Sequence, residues 1–240
     1  MRLDKYLAET GNGTRSEVKK LILKGLVSVN DETVKDPGAH IDETSADVLV
    51  DGVPAIIDAD GGAGRYEKYE YYLLNKPQGV ISASKADLRD PDTLCAVDLI
   101  EERVHDDLFP VGRLDKDTEG LLLITNDGEL AHELLSPKKH VDKTYYVELD
   151  SKLDDADIEA IEQGIDIGDE KPTLPSKIEN IDGTHCRITI REGRFHQIKR
   201  MFAARGHEVV YLKRLSMGSL VLGDIPCGDH IKIDKRDIIL

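Results

Sequence analysis

One short segment divides this chain of 240 residues into two parts of unequal length. Residues 58–65 have the sequence DADGGAGR and hold no apolar side chain larger than alanine to place in a core. Clusters of glycine and aspartate between patterned segments are typical of loops and linkers. The sequence therefore predicts a small N-terminal module at residues 1–58, a linker at 59–68 and a larger domain at 69–240.

Composition excludes several classes of protein. Hydrophobic residues make up 40% of the chain and charged residues 33%, which is typical of a globular protein rather than a disordered or fibrous one. No segment approaches the ~20 apolar residues of a membrane helix, and charges interrupt the N-terminus where a signal peptide would become apolar. We therefore expect a cytoplasmic protein that does not bind a membrane. The odd number of cysteines disfavours a disulfide framework and predicts reduced thiols at Cys95, Cys186 and Cys227.

Charge is distributed unevenly along the chain, whose formal net charge is −15. Taken alone, this value disfavours a nucleic-acid partner, because phosphate binding needs a surplus of lysine and arginine. Two segments reverse the sign. Residues 185–214 hold eight basic and two acidic residues, and residues 1–25 hold six basic and three acidic residues. Positive patches on an acidic body indicate a protein that binds a polyanion at chosen places.

The N-terminal part has the apolar spacing of two short helices over residues 2–25, followed by a hairpin pattern at 26–34. Two like-charge pairs are spaced four residues apart on the second helix: Arg15 with Lys19, and Lys20 with Lys24. Each such pair destabilises a helix by roughly a few tenths of a kcal/mol. The pairs indicate either a solvated face or an anion-binding face, and the acidity of the rest of the chain favours the second.

The motifs of this part resemble the S4-type RNA-binding module. The matching segments are RLDKYL at residues 2–7, TRS at 14–16 and KGLVSVND at 24–31. The resemblance implies two helices and a small sheet laid against structured RNA. The basic residues expected to contact RNA are Arg2, Lys5, Arg15, Lys19, Lys20 and Lys24.

The larger part alternates strand and helix patterns without a regular βαβ period. Strand patterns fall at residues 71–74, 121–125, 144–149, 186–191, 209–212 and 231–233. Helix patterns fall at residues 128–135, which Pro137 is expected to end, and at 154–163 and 195–205. We expect an α+β fold, in which flanking helices pack on a mixed, largely antiparallel sheet.

The densest polar run is GRLDKDTEG at residues 112–120, directly before an apolar strand pattern. Its three acids at alternate positions, followed by glycine, are similar to the start of a calcium loop. That pattern then fails, because the twelfth position is Asn126 rather than glutamate and a strand pattern stands where the calcium motif has a helix. A second alternative is a polar loop whose acids only cap backbone groups.

The segments around this run favour a third interpretation. They are FPVGRLD at residues 109–115, TEGLL at 118–122, TNDG at 125–128, LNKPQGV at 74–80, KTY at 143–145 and EGRFHQIKRMF at 192–202. In this order they resemble the signature of the RNA pseudouridine synthases. Together with the S4-like start, the resemblance covers nearly the whole chain and is closest to the RsuA branch, which acts on small-subunit ribosomal RNA.

This resemblance implies isomerisation of a uridine in 16S ribosomal RNA, at position U516. The bond from N1 to ribose breaks and a bond from C5 to the same carbon forms, so no cofactor is needed, and no metal is expected. The implied partner is ribosomal RNA in an assembling small subunit, and the expected oligomeric state is a monomer. Two alternatives stay open: a synthase acting on 23S ribosomal RNA, and a non-catalytic S4-type RNA-binding or assembly factor.

The resemblance also assigns residue roles. Asp115 matches the catalytic aspartate, Tyr145 the tyrosine beneath the flipped base, and Lys199 the cation that holds Asp115 ionised in a water-poor pocket. Arg200 is the alternative partner of Asp115. Tyr146 should lie on the opposite face of its strand from Tyr145, because side chains alternate. The other expected RNA contacts are Arg113, Arg194, His196, Gln197 and Arg200, and a structural hydrogen-bonding role is equally open for His196.

Overall fold

The computed structural model describes residues 1–57, 63–64, 66–86, 92–136 and 139–239, without the side chain at position 180. The described chain forms two compact units, Met1–Glu70 with Glu101–Leu108, and Tyr71–Ile100 with Phe109–Leu240. Half of the predicted linker, residues 59–62 and 65, lies outside the described residues, as do Asp58 and Pro137.

One segment of the chain belongs to a different unit from the one expected. Residues Glu101–Leu108, which we assigned to the larger domain, pack with the N-terminal unit. The Glu70 carboxylate explains this placement, since it accepts hydrogen bonds from the backbone N–H groups of Val104 at 3.1 Å and His105 at 3.0 Å. The boundaries 1–58, 59–68 and 69–240 as limits of independent domains stay a prediction.

The first unit contains two helices and a small antiparallel sheet. The helices are α1 (Leu3–Glu9) and α2 (Arg15–Leu23), and the strands are β1 (Val27–Val29), β2 (Glu32–Thr33), β3 (Val48–Val50) and β4 (Val53–Pro54), in the order β2-β1-β3-β4. Thr14 caps α2 through a reciprocal pair of hydrogen bonds with Glu17. Asn30 and Asp31 have φ angles of 49° and 65°, the left-handed values that a two-residue hairpin turn requires.

The core of the first unit forms where the apolar faces of the helices meet the sheet. Leu3, Leu7, Val18 and Ile22 are fully buried, and they pack with Val27 of β1. The helical spacing of these residues therefore predicted the buried faces correctly.

The second unit is built on a mixed sheet of nine strands. They are β5 (Tyr71–Lys76), β6 (Phe109–Pro110), β7 (Glu119–Thr125), β8 (Lys143–Leu149), β9 (Lys177–Asn180), β10 (His185–Ile190), β11 (Val209–Met217), β12 (Leu220–Val221) and β13 (His230–Lys232). The strand order is β13-β5-β7-β11-β8-β10-β9, with β6 paired to β7 and β12 paired to β11. Among these named strands, β7 and β11 run parallel, and the other pairs are antiparallel.

In the described part of this unit, three α-helices accompany the sheet: α3 (Gly128–Leu135), α4 (Asp155–Gln163) and α5 (Gln197–Ala203). Two short 3-10 helices, Ala96–Leu99 and Lys235–Asp237, are also present. The expected α+β class is confirmed, and every predicted strand and helix of this part has a counterpart. The short strands β6, β9 and β12 were not predicted. Helix α5 begins two residues later than predicted, because His196 has a left-handed φ of 46°. No helix among the described residues is long and apolar enough to cross a membrane.

The parallel pairing of β7 and β11 depends on a glycine. Gly120 lies opposite Arg214 and has a φ of 104°. A Cβ atom at this position would collide with the backbone oxygen and nitrogen of Arg214. Only glycine therefore allows the two backbones to approach where the polar run 112–120 enters the sheet.

A buried carboxylate joins α4 to the segment after α5. Asp157 lies in the first turn of α4 and accepts hydrogen bonds from the backbone N–H of Asp154 at 3.2 Å and from Arg205 Nε at 2.8 Å. His207 Nε2 lies 3.0 Å from the same carboxylate, and His207 Nδ1 lies 2.8 Å from Ser151 Oγ. Burial by itself would raise the pKa of Asp157, but these hydrogen bonds and the charges of its partners lower it to about 2.

We predict that Asp157→Asn lowers the free energy of unfolding by about 1 to 3 kcal/mol near neutral pH, because a hydrogen-bonded charge is lost. The depressed pKa means that Asp157 stabilises the fold above the ordinary carboxyl pKa of 3.8 and that this contribution disappears as the pH falls towards 2. Urea unfolding of both proteins should therefore give a difference that shrinks over this pH range.

The exposed Asp155 of the same helical turn provides the matched control. Asp155→Asn should leave the free energy of unfolding nearly unchanged. Equal stability of Asp157→Asn and Asp155→Asn at neutral pH would contradict the structural role of Asp157.

Candidate active site

The polar run predicted from the sequence forms a turn between β6 and β7. Within it, the backbone N–H of Thr118 donates to the carbonyl of Asp115 at 3.1 Å, which closes the turn. Gly112 has a φ of 79°, as the chain requires where it leaves β6. The turn places Asp115 beside β8, β11 and the first residues of α5, whose side chains line the same cleft.

The segment after β5 braces this turn. Ser82 Oγ donates to the carbonyl of Leu114 at 2.9 Å and accepts from its backbone N–H at 2.9 Å, directly before Asp115. The backbone N–H of Gly79 donates to the carbonyl of Lys116 at 2.8 Å. The residues on both sides of Asp115 are thus hydrogen-bonded to one neighbouring segment, through the Ser82 side chain and the Gly79 backbone.

A buried lysine shapes the bracing segment. Lys76 Nζ donates to the carbonyls of Pro77 at 2.9 Å and Val80 at 2.8 Å. Burial lowers the pKa of Lys76 to about 8, although the nearby carboxylates of Asp117, Glu119 and Asp115 oppose the shift. The sequence analysis quoted this lysine only as part of a matching segment and assigned no role to it.

The cleft beside the turn brings together most of the predicted site residues of the larger domain. Asp115, Tyr145, Lys199, Arg113, Arg194, His196 and Gln197 all line it. Its apolar wall consists of Leu114, Ile190, Ile198 and Leu212. A cleft with one apolar wall and convergent charged groups is suited to hold a planar, partly polar ring.

A lysine and a histidine flank the Asp115 carboxylate. Lys199 Nζ lies 3.7 Å from Oδ2, and His196 Nε2 lies 3.5 Å from Oδ1. The Asp115 side chain is 30% exposed, so it is half-buried rather than enclosed in the water-poor pocket that we expected. The difference arises because the cleft opens to solvent beside it.

The tightest partner of Lys199 is a residue that the sequence analysis did not select. Lys199 Nζ donates to Asp117 Oδ1 at 2.6 Å and to Oδ2 at 2.7 Å, and this hydrogen-bonded charge lowers the pKa of Asp117. Lys199 therefore bridges two carboxylates of the same turn. The alternation of acids in the run 112–120 was the available signal, since Asp115 and Asp117 are two residues apart.

Strand β8 directs its two tyrosines to opposite faces, as predicted. Tyr145 is buried on the cleft side, opposite Arg214 in β11 and Ile188 in β10. Tyr146 stacks on His185 with ring centroids 6.1 Å apart, away from the cleft. The alternation of side chains thus selects Tyr145 as the ring available to a ligand beside Asp115.

The other predicted RNA contacts near α5 have protein partners. Arg194 donates to Glu192 at 3.0 Å and to the backbone carbonyls of Lys171 and Pro172 at 2.6 and 2.8 Å. Gln197 is only 4% exposed, and its amide bonds to the backbone N–H of Arg194 and to Glu192. These two side chains fix the turn before α5, and their contact with RNA stays a prediction.

Arg200 is not the partner of Asp115 that we kept as an alternative. Its guanidinium pairs with Asp169 at 2.5 Å and donates to the carbonyls of Ile167 and Phe195. The ion-pair partners of Asp115 in the described structure are instead Lys199 and His196. The reason is register, since Lys199 and Arg200 are adjacent in a helix and point in different directions.

The acids of the polar run have different partners, so they do not form a calcium loop. Asp115 faces the cleft, Asp117 binds Lys199, and Glu119 accepts a hydrogen bond from Tyr211 at 2.5 Å. Within the described parts of the chain, no group of three or more His, Cys, Asp or Glu side chains has the geometry of a metal site.

The predicted basic residues of the first unit surround a buried carboxylate. Asp4 is fully buried, and Arg2 donates two hydrogen bonds of 3.0 Å to it. Arg15 and Lys19 lie 3.8 and 3.7 Å from the same carboxylate, and all three cations remain about half exposed. Asp4 thus gathers these cations on one surface, and the Arg2 hydrogen bonds lower its pKa.

The remaining basic residues of that unit lie outside the Asp4 cluster. Lys5 is 3.5 Å from Glu9 on the next turn of α1. Lys20 and Lys24 are exposed on and after the last turn of α2. Their contact with RNA stays a prediction.

Comparison with known protein families identifies both parts of the chain. Residues 70–204 match the RNA pseudouridylate synthase family, and residues 1–46 match the S4 domain. The first match includes every residue that lines the cleft except Leu212, and the second includes the Asp4 cluster.

Several curated proteins are similar over the full length. An uncharacterized RNA pseudouridine synthase of Bacillus subtilis, YtzG, is 47% identical over 100% of this chain and 98% of its own length. The ribosomal small subunit pseudouridine synthases A of Haemophilus influenzae and Escherichia coli are 37% and 36% identical, each over 99% of this chain and 98% of the relative.

A solved structure has the same fold. The crystal structure of a pseudouridylate synthase superimposes with a TM-score of 0.66 at 34% identity, covering 99% of this chain and 97% of that chain. Because the family match, the full-length relatives and this structure agree, the chain belongs to the RNA pseudouridine synthase family and carries an N-terminal S4 domain.

Proposed function

We propose that this protein converts a uridine of 16S ribosomal RNA to pseudouridine, at position U516, during assembly of the small subunit in the cytoplasm. The observation that carries the chemistry is the presence of Asp115, Tyr145 and Lys199 in one cleft. The names of the Haemophilus and Escherichia relatives, which refer to the small ribosomal subunit, support the choice of RNA. We further propose that the protein acts as a monomer.

Asp115 is the group that we assign to the bond exchange. Breaking the bond from N1 to ribose builds positive charge on the sugar, and a carboxylate beside it stabilises that charge, attacks the carbon or removes a sugar proton. The uracil then turns, C5 bonds to the same carbon, and the proton lost from C5 is balanced by the one gained at N1. Lys199 Nζ lies 3.7 Å from the Asp115 carboxylate and His196 Nε2 lies 3.5 Å from it, so both side chains are close enough to orient this group.

Tyr145 is the ring that we assign to the flipped base. Extruding a uridine from its stack costs a few kcal/mol, and stacking on an aromatic side chain returns about 1 to 3 kcal/mol. The buried position of Tyr145, beside the apolar wall formed by Ile190 and Leu212, supports this role because the ring cannot swing out to solvent.

The Asp4 cluster is the anchor that we propose for the S4 domain. Arg2, Arg15 and Lys19 share one buried carboxylate but keep about half of their surface exposed. Their side chains are therefore already ordered when phosphates arrive, which reduces the entropy lost on binding. Such a cluster allows an acidic protein to hold a polyanion at a defined place.

For Asp115→Asn we predict loss of detectable pseudouridine formation on 16S RNA transcripts, because the amide carries no negative charge. Binding of RNA should change by less than about twofold, since phosphate contacts dominate affinity. Tritium release from 5-labelled uridine and filter binding measure the two quantities. Asp155→Asn, at an exposed position of α4 that does not line the cleft, is the matched control and should keep wild-type activity. Product formation by Asp115→Asn would refute the assignment.

If 16S RNA is the substrate, cells that lack this protein should lack one pseudouridine. Mapping pseudouridine in 16S and 23S RNA with and without the protein should show loss of a single 16S site, U516. Cells that carry only the Asp115→Asn protein should lack the same site. Loss of a 23S site would show that the enzyme acts on the large subunit. An unchanged map of both RNAs would favour the alternative that the protein is a non-catalytic RNA-binding factor.

The brace on the Asp115 turn predicts a split between kinetic constants. Ser82→Ala should lower kcat by about 10- to 100-fold and change KM by less than about twofold, because the carboxylate is misplaced while the RNA contacts are kept. Steady-state kinetics on 16S transcripts measure both constants. Ser84→Ala, two residues further along the chain, is the control with expected wild-type values, and equal kinetics of the two variants would show that Ser82 does not position Asp115.

A further inference from the structure

Phe195 is a large aromatic side chain that neither the core nor the proposed chemistry uses. Its side chain is 75% exposed, more than any other large apolar residue in the described part of the chain. Phe202, a few residues later in α5, is by contrast fully buried. A single exposed apolar residue needs no explanation by itself, so the argument depends on what surrounds the ring.

The ring of Phe195 is stacked on the ring of His196. The two centroids are 3.8 Å apart and the planes differ by 17°. This spacing is close to that of stacked bases, which is ~3.4 Å along a strand. Since one face of Phe195 covers the imidazole and the side chain is still mostly exposed, the other face is open.

Hydrogen bonds to the backbone on either side of the ring hold Phe195 in its outward position. The Gln197 amide oxygen accepts from the backbone N–H of Arg194 at 3.0 Å, and the Arg200 guanidinium donates to the carbonyl of Phe195 at 3.0 Å. His196 has φ 46° and ψ 36°, a left-handed conformation that is uncommon for residues other than glycine. Unfavourable conformations imposed by neighbours are concentrated at binding and catalytic sites.

The stacked pair lies next to the proposed reaction centre. His196 Nε2 is 3.5 Å from Asp115 Oδ1, and Phe195 covers the same imidazole. The ribose of the extruded uridine, in contact with Asp115, stays linked through the RNA backbone to the neighbouring nucleotide. The open face of Phe195 is therefore within reach of the base next to the target uridine.

We propose that Phe195, backed by His196, is a stacking platform for the nucleobase adjacent to the extruded uridine, an inference that rests on the proposed function. Extrusion of the uridine leaves its neighbour without a stacking partner, and the phenyl ring replaces that partner. Stacking of this kind accepts any base, because every base has an aromatic face. The platform therefore lowers the free energy needed to open the RNA without selecting its sequence.

The kinetic test compares variants of Phe195 in the full chain on an RNA transcript that contains the mapped target. Phe195→Ala and Phe195→Leu should each lose about 5- to 100-fold in kcat/KM, the range expected for one base–aromatic stack. Phe195→Tyr should keep activity within about twofold, because the ring is retained. Ile231→Ala, an exposed apolar residue on the edge strand β13, is the control with expected wild-type activity.

A fluorescence test reports stacking directly. The transcript carries 2-aminopurine next to the target uridine and is bound by the Asp115→Asn protein. Introducing the second substitution Phe195→Ala into the Asp115→Asn protein should raise the fluorescence of the complex by about twofold or more, because 2-aminopurine is quenched when it is stacked. Unchanged melting temperatures are expected for all Phe195 variants, because the side chain is exposed.

The outcomes separate this inference from the proposed function. If the wild-type chain forms no pseudouridine in either ribosomal RNA, the proposed function fails. If the wild-type chain is active and Phe195→Leu matches it, or if the fluorescence does not respond to Phe195→Ala, the stacking platform fails and the enzyme assignment stands.

Discussion

The bridge formed by Lys199 is the interaction on which the site depends. One ammonium group at the start of α5 faces two carboxylates of the turn between β6 and β7, at 2.6 Å from Asp117 and 3.7 Å from Asp115. The positive charge between these two carboxylates reduces the repulsion between them. Asp115, the carboxylate that we propose to be catalytic, lines the cleft and keeps 30% of its side chain exposed.

The sheet supplies the rigidity that this bridge needs. The turn enters β7, and β7 runs parallel to β11 because Gly120 permits close approach to Arg214. Arg214 is only 2% exposed and donates to the carbonyl of Leu121 at 2.6 Å, so its side chain is part of the sheet although it belongs to the basic segment 185–214. Ser82 then ties the turn to the segment after β5. Asp115 is thus positioned by elements that are far apart in the chain.

Acidic residues organise the cations of this protein instead of neutralising its RNA surface. Asp4 gathers Arg2, Arg15 and Lys19 in the S4 domain, and Asp169 holds Arg200 beside α5. A carboxylate that is shared or buried orders the side chains around it, whereas the exposed parts of the cations remain available. This arrangement explains how a chain with a net charge of −15 is compatible with an RNA substrate.

By itself, the sequence determined the two-part organisation, the buried helix faces and the principal strands, because apolar periodicity is a local property. Its contiguous motifs also identified Asp115, Tyr145 and Lys199 as cleft residues.

Only the tertiary structure decided that Lys199 pairs with Asp117 and that Arg200 pairs with Asp169. It also decided that Gln197 and Arg214 are buried and that Glu101–Leu108 belongs to the first unit. These depend on which side chains meet across long separations in the chain, and a linear pattern of residue types carries no distance between them.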